Sequence, residues 1–271
     1  MKKILLDALI DVIKLIPFLF ISFVVMEYVE HKLNNKKKIA KINKLGPLAG
    51  ASLGLIPQCG FSALASNLYA TRVITLGTLF SIYLSTSDEM LPILISNKVD
   101  ITEIIKLLLT KFVLGLIFGL LIDVIIRKKN KLNIDNFCEE EHCHCNKNGI
   151  IKSSIMHTLK ISLFILIINI ILNSIIDEDT IINFINNNKV LTPIITSIIG
   201  LIPNCASSVI ITELYLEKII TFGSCISGLL CGSGVGLLIL FKQNKNLKEN
   251  MFILLILVAF SSICGIIFNL L

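Results

Sequence analysis

The sequence predicts an all-α polytopic membrane protein built from two inverted repeats. Of its 271 residues, 54% are apolar and 16% are charged, whereas about 25% of the residues in soluble domains are charged. Six apolar runs recur, each long enough to cross a hydrocarbon core of about 30 Å as a helix. They are Leu5 to Val25, Val73 to Ile95, Ile104 to Ile126, Ile155 to Leu172, Ile219 to Phe241 and Met251 to Leu271. This composition excludes an ordinary soluble protein.

The formal net charge of +6 comes mainly from lysines in the connecting segments. Cytoplasmic loops of membrane proteins are enriched in Lys and Arg, so these lysines indicate orientation and require no nucleic-acid partner. The first apolar run follows Lys2 and Lys3 as a signal peptide would, but it contains Asp7, Asp11 and Lys14 and lacks a small-residue cleavage site. We therefore expect a retained first span in a multi-pass protein of the cell (plasma) membrane, with the lipid bilayer as partner.

An internal repeat divides the chain into two membrane halves. The motif GLIPQC at Gly54 to Cys59 returns as GLIPNC at Gly200 to Cys205, an offset of 146 residues (200 − 54), and further identities follow at the same offset. Such self-similarity indicates a duplicated fold. We assign residues 1–127 to the first membrane repeat, 128–150 to a cytoplasmic linker rich in Cys, His and Glu, and 151–271 to the second membrane repeat.

Each half contains a segment broken by proline, Pro47 to about Ala70 and Pro193 to about Leu216. If both segments turn back inside the membrane, the three basic loops fall on one side, as the positive-inside rule requires. Those loops are Lys32 to Lys44, Arg127 to Lys147 and Lys242 to Lys248. If the segments cross, the first two loops lie on opposite sides. The sequence therefore favours inverted repeats, each with three transmembrane helices and one Pro-broken re-entrant or discontinuous helix, and cytoplasmic basic loops.

The two broken segments present the same polar groups at the same spacing. Proline leaves a backbone carbonyl without its helical partner, a carboxamide offers donors and an acceptor, and a thiolate is a soft metal ligand. The candidate substrate-binding residues are Pro57, Gln58, Cys59 and Ser62 in the first half and Pro203, Asn204, Cys205 and Ser208 in the second. The alternative is that the cysteines are small core residues and the prolines are kinks. The presence of all four groups in both copies favours a site.

Asp88 and Glu89 complete the candidate substrate site. They lie in the apolar run Val73 to Ile95, and acidic residues inside a membrane are costly enough to indicate a function. Their repeat partners are Gly234 and Val235, so a site that includes the acids draws them from the first half alone. The alternative is that the pair is hydrated near the outer end of its span. The glycine-rich stretch around Gly234 indicates small-residue helix packing or a local break.

The linker contains the sequence CEEEHCHC at residues 138–145. Thiolates and imidazoles are ligands for Zn, Cu, Cd and other thiophilic ions. The candidate metal ligands are Cys138, His142, Cys143, His144 and Cys145. The alternative is a flexible acidic tether. We expect this loop to collect or sense metal and to be auxiliary to the tips of the two broken segments, residues 57–59 and 203–205.

With GLIPQCGFS and GLIPNCASS in duplicated halves joined by a His/Cys/Glu-rich linker, the sequence resembles the heavy-metal exporters related to the arsenic efflux permeases. Some members of that family are described as manganese transporters. The resemblance covers most of the chain and implies transport through about ten membrane segments.

The leading hypothesis is a secondary-type permease that exports a metal or metalloid ion from the cytosol, with arsenic(III), a thiophilic divalent cation or manganese as cargo. The expected ligand is the transported ion, and no cofactor is required. The alternative is a membrane-embedded metal sensor or regulatory subunit that acts through the linker. A membrane enzyme ranks third, because the apolar segments offer no nucleophile paired with a histidine base. Assembly into a homo-oligomer is left open.

Overall fold

The computed structural model describes residues 45–56, 60–87, 90–126, 191–203 and 205–270, with further helical positions between residues 12 and 24 and between residues 154 and 170. The described residues form helices and turns, with no strand among them, as the all-α class requires. The helices with defined bounds in these ranges are α1 (Gly46–Gly54), α2 (Gly60–Ala70), α3 (Leu76–Ser85), α4 (Met90–Ser96), α5 (Ile101–Ile126), α6 (Thr192–Gly200), α7 (Cys205–Leu216), α8 (Phe222–Cys231), α9 (Gly236–Gln243) and α10 (Leu247–Leu270).

The helix bounds repeat along the chain. Adding 146 to the bounds of α1 gives those of α6 (46 + 146 = 192, 54 + 146 = 200), and the same shift carries α3 onto α8 (76 + 146 = 222, 85 + 146 = 231). Arg72 and Lys218, also 146 residues apart, both have left-handed backbone, with φ of 61° and 60°. The two halves therefore share the order of their helices and the turn that follows α2 and α7.

Local sequence explains where these helices begin. Pro47 and Pro193 occupy the first turn of α1 and α6, where a missing N–H costs nothing and a fixed φ favours the helix. Thr75 and Thr221 cap α3 and α8, each accepting a hydrogen bond from the backbone N–H three residues later. Such caps satisfy one of the unpaired donors at a helix start.

α1 and α3 run side by side in the same direction. A side chain at Gly46 would collide with Thr78, and one at Gly54 would collide with Ser85. The N–H of Ser87, just beyond α3, donates to the carbonyl of Gly54 at 3.2 Å. The chain therefore reverses between the two helices, through α2 and the turn that follows it.

α5 packs against α3 in the opposite direction. A side chain at Gly77 would collide with the carbonyl of Gly119, while the hydroxyl of Ser81, one turn later in α3, donates to the carbonyl of Gly115, one turn earlier in α5, at 3.0 Å. The small residues let the two backbones approach closely, which is typical of helix pairs in membranes. α8 and α10 pack through equivalent glycines.

Three described segments are apolar and long enough to span a membrane: Ile101–Ile126, Phe222–Gln243 and Leu247–Leu270. The 26 residues of α5 rise about 39 Å, which exceeds a hydrocarbon core of ~30 Å. Its outer face is apolar and open, with Leu109 at 58% and Val124 at 71% exposure. Lipid tails can cover such an apolar face without the free-energy cost of exposing it to water, so these helices indicate a location in the membrane.

Two runs predicted as continuous spans are interrupted. Val73 to Ile95 is divided, because the helix ends at Ser85 and resumes only at Met90. Ile219 to Phe241 is divided between α8 and α9, at a turn where Gly234 has a φ of 53°, a conformation that glycine adopts without strain. The glycine-rich sequence indicated the second break, whereas the length of the first apolar run favoured a continuous span.

Candidate functional site

The sequence-predicted site residues that the structure describes lie at the starts of α2 and α7. Ser62 is buried in the first turn of α2, and Ser208 is buried in the first turn of α7. Cys205 is the first residue of α7, and Pro203 lies in the turn before it. The remaining predicted residues lie outside the described part of the chain: Pro57, Gln58, Cys59, Asp88, Glu89 and Asn204 at the breaks, and Cys138, His142, Cys143, His144 and Cys145 in the linker.

The starts of α2 and α9 meet across the two halves. A side chain at Gly236, the first residue of α9, would come within 2.9 Å of the Cβ of Ser62, within 3.0 Å of its carbonyl oxygen and within 3.0 Å of the ring of Tyr83. Only glycine fits this approach without a shift of its neighbours. The break before α2 in the first half is therefore packed against the break before α9 in the second half.

Ser66 fastens this crossing with hydrogen bonds. Its hydroxyl oxygen lies 2.6 Å from the carbonyl of Ser62, 2.7 Å from the carbonyl of Gly236 and 2.7 Å from the hydroxyl of Tyr83. A serine hydroxyl has one proton to donate, so it serves one carbonyl at a time while it can accept from the fully buried Tyr83. The network links one helix from each half at the centre of the bundle.

The two breaks of the first half are tied to each other. The hydroxyl of Ser87 donates to the carbonyl of Leu55 at 2.7 Å, and its N–H reaches the carbonyl of Gly54. Leu55 precedes Pro57 by two residues, and Ser87 directly precedes Asp88. The structure therefore brings together the chain positions that lead into the Pro-Gln-Cys tip and into the acidic pair.

The second half packs its equivalent segments just as closely. A side chain at Gly200, the last residue of α6, would collide with the carbonyl of Gly228 and would lie 3.2 Å from the Cβ of Cys231. Ser233, in the turn between α8 and α9, is 1% exposed, and its hydroxyl has no hydrogen-bond partner within the part of the chain that the structure describes. Among those same residues, no three His, Cys, Asp or Glu side chains form a metal-binding group.

Lys111 brings a basic side chain to the second break, which separates α8 from α9 as the first break separates α3 from α4. It lies in the middle of α5, it is fully buried, and its Nζ donates to the carbonyl of Leu229 in α8 at 2.6 Å. Ionisable residues buried at this depth in a membrane helix are rare and mark functional positions.

Polar contacts also join the halves away from the centre. Arg72, in the turn after α2, makes a bidentate ion pair with Glu249 near the start of α10, at 2.5 and 2.6 Å, and Tyr69 donates to the same carboxylate. These hydrogen bonds to Glu249 raise the pKa of the Arg72 guanidinium, which stays charged. At the equivalent position, Tyr215 donates to Glu103 near the start of α5 at 3.3 Å.

Sequence reasoning missed Lys111, Ser66 and Tyr83. Lys111 lies well inside the apolar run Ile104 to Ile126, which was a detectable signal by the same criterion that selected Asp88. Ser66 and Tyr83 gave no such signal, because serine and tyrosine are common in helices and their contact with Gly236 depends on the packing of two distant segments.

Comparison with protein families identifies a match over the whole chain. The profile of a protein family described as "Putative, 10TM heavy-metal exporter" matches residues 1–177 and 159–271. The two matched stretches together cover all 271 residues. No curated protein and no solved structure gives a significant match.

Proposed function

The chain belongs to this heavy-metal exporter family, which is related to the arsenic efflux permeases, and on that premise we propose that it is a secondary-type, multi-pass permease of the plasma membrane. It exports a metal or metalloid ion from the cytosol by alternating access. Membership of a transporter family favours transport over catalysis as its activity.

Contacts between the halves support an inverted arrangement of the repeats. Thr75, at the start of α3, donates to Asp123 near the end of α5, so Arg72 lies close to the end of α5. Arg72 nevertheless pairs with Glu249, close to the start of α10. The helix that is equivalent to α5 therefore begins where α5 ends, as expected if the two halves insert with opposite orientations.

This arrangement also accounts for a family description of ten segments. Each half supplies an opening span, two short helices from the proline-broken segment, the interrupted α3–α4 or α8–α9 pair, and α5 or α10. Five segments in each half give ten. The short helices α1 and α2 reverse the chain direction, so the pair is re-entrant and both its ends lie on the side of the basic loops.

The packing of Gly236 on Ser62 is the observation that carries the proposal. It joins the break of one half to the break of the other, and non-helical backbone at membrane depth is tolerated where it lines a cavity or is buried in protein. Transporters built from inverted repeats bind their substrate where such broken helices converge.

In this arrangement the cargo site is formed by the tips. Cys59 and Cys205 supply two thiolates, and Gln58 and Asn204 supply carboxamide oxygens. Two thiolates suit arsenic(III) or a thiophilic divalent cation, whereas manganese would depend on oxygen ligands from the carboxamides and the acidic pair at residues 88–89. The linker collects metal at the cytoplasmic face.

Cellular metal content tests the proposal. Cells with and without the gene are exposed to arsenite and to Cd²⁺, Zn²⁺, Cu²⁺ and Mn²⁺, and growth and accumulated metal are measured. The expected result is a lower content and a higher tolerance for one ion in cells that carry the gene. Unchanged content for every ion, with a transcriptional or enzymatic response that needs the linker cysteines, would support the sensor function instead.

Cysteine labelling tests the orientation. We expect cysteines introduced one at a time at Lys36, Asn133 and Lys245 to add no labelling by an impermeant reagent outside intact cells beyond that of the eight native cysteines, and those at Asn97 and Asp179 to add labelling. Labelling of residues 36 and 133 from opposite faces would contradict the inverted arrangement.

A further inference from the structure

The break after α8 frees a carbonyl group in the middle of the bundle. In a continuous helix the carbonyl of Leu229 would accept from the N–H of Ser233, four residues later. The N–H of Ser233 instead bonds to the carbonyl of Cys231 at 2.9 Å. Leu229 therefore presents an acceptor in the last turn of α8, where the aligned peptide dipoles make the helix end negative.

Lys111 occupies that position from the other half of the molecule. Its Nζ lies 2.6 Å from the carbonyl oxygen of Leu229, and the side chain is fully buried. A cation is the favoured partner of a helix C-terminus, and a free carbonyl group in a dry interior is costly unless it is hydrogen-bonded. The Lys111 ammonium group therefore stabilises this carbonyl group as a bound cation would.

The fold itself does not require a lysine here. The residue equivalent to Lys111 in the second half is Leu257 (111 + 146 = 257), which is fully buried in α10. The corresponding break between α3 and α4 forms without a basic residue at that place. Burial of a lysine costs side-chain entropy and solvation, so its presence at one break alone indicates a purpose beyond closing the helix end.

We propose that Lys111 is a tethered cation that fills a monovalent-cation position at the carbonyl end of α8. This inference rests on the proposed transport function and deepens it. Because the position is filled by the protein's own ammonium group, the second break needs no Na⁺. Lys111 is thereby a positioning and selectivity residue of the transport cycle.

The test uses purified full-length protein in detergent and measures thermal unfolding in choline chloride, sodium chloride and n-propylammonium chloride. Lys111→Ala removes the ammonium and leaves room for a small cation or for propylammonium, which has the shape of the missing atoms. Lys111→Met removes the charge but fills the space. Lys106→Ala, a change of a largely exposed lysine in the same helix, is the matched control.

We expect sodium or propylammonium to raise the melting temperature of Lys111→Ala by about 3 to 6 °C at roughly ten times the dissociation constant. The wild type, Lys111→Met and Lys106→Ala should not respond. A Lys111→Ala protein that responds no more than the wild type, or a wild type that is itself stabilised by sodium, would overturn the inference.

The cation response is read without cargo, so it is independent of the export assay. If the wild type exports no metal but Lys111→Ala still gains a cation response, the function is wrong and the filled cation position stands. If the wild type exports metal and Lys111→Met exports it equally well, the lysine has no part in the cycle.

Discussion

The two halves of the molecule share a backbone and differ in the charges placed on it. Around the first break, Ser87 ties the chain to α1 and is followed by Asp88 and Glu89. Around the second break, Ser233 is the residue equivalent to Ser87, and Gly234 and Val235 stand where the first half has its acidic pair. Lys111 supplies a positive charge there. The comparison suggests that the repeated backbone provides a two-sided scaffold, while the residues that differ make its two breaks electrostatically unequal.

The largest expected effect distinguishes the tip cysteines, which both halves share, from the cysteines of the linker. Cys59→Ser or Cys205→Ser should abolish resistance to a thiophilic ion, because loss of one of few ligands leaves the ion poorly compensated in a low-dielectric cavity. Replacement of Cys138, Cys143 and Cys145 together should only shift the concentration dependence. Growth on metal, with the amount of protein in the membrane as control, measures both.

The opposite result, with active tip variants and an inactive linker variant, would transfer the function to the linker and favour a sensor. Loss of transport on replacement of Asp88 or Glu89, with active cysteine variants, would indicate a hard ion such as Mn²⁺.

The second prediction concerns the junction between the halves. Gly236→Ala should impair transport and lower the free energy of unfolding by about 1–3 kcal/mol, because the added methyl group meets Ser62 and Tyr83 in a packed interior. Gly232→Ala is the matched control, since the nearest atom to its new Cβ lies 3.5 Å away. Equal tolerance of both changes in a thermal-unfolding and transport assay would show that α9 does not pack on α2 in the functional protein.

The third prediction compares the two helix caps. Thr75 donates to the carboxylate of Asp123 at 2.7 Å, whereas Thr221 donates to the carboxamide of Asn269 at 2.6 Å. Hydrogen bonds to charged groups are the stronger kind. We expect Thr75→Val to cost roughly 2–3 kcal/mol of unfolding free energy and Thr221→Val roughly 1–2 kcal/mol. Denaturation of both variants under one condition ranks them, and the reverse order would contradict the argument from charge.

The smallest expected effect belongs to the ion pair between Arg72 and Glu249. Both side chains are partly exposed, at 35% and 20%, and ion pairs at such sites contribute about 1 kcal/mol or less. A double-mutant cycle with Arg72→Gln and Glu249→Gln should give a coupling of that size that shrinks as salt is added. A coupling that does not depend on salt would show that the pair is sealed from water in the native membrane.

The predictable part of the fold came from local patterns. The repeat around Pro57 and Pro203 predicted a broken helix in each half, and the structure places α1 and α2, and α6 and α7, on either side of those tips. The proline at the start of a helix and the threonine cap are likewise visible in sequence. The break after Ser85 did carry a local signal, the polar residues Ser85 to Glu89, but the length of the apolar run around them favoured a continuous span.

The candidate site was predictable only in part, for a physical reason. Ser62 and Ser208 were selected by their spacing from the cysteines, and both lie at the starts of the second short helices. The partner of Ser62 is Gly236, which no local pattern connects with it. Contacts between residues so far apart in the chain depend on how the halves pack, and neither periodicity nor propensity encodes that packing.

Transport by the purified protein tests the central claim most directly. Liposomes loaded with arsenite, Cd²⁺ or Mn²⁺ and containing wild-type protein should release one of these ions faster than protein-free liposomes. The Cys59→Ser, Cys205→Ser double variant should release a thiophilic ion no faster than protein-free liposomes. Release by the double variant at the wild-type rate, or no release of any ion by the wild type under an imposed proton or sodium gradient, would contradict an exporter whose site lies at the paired tips.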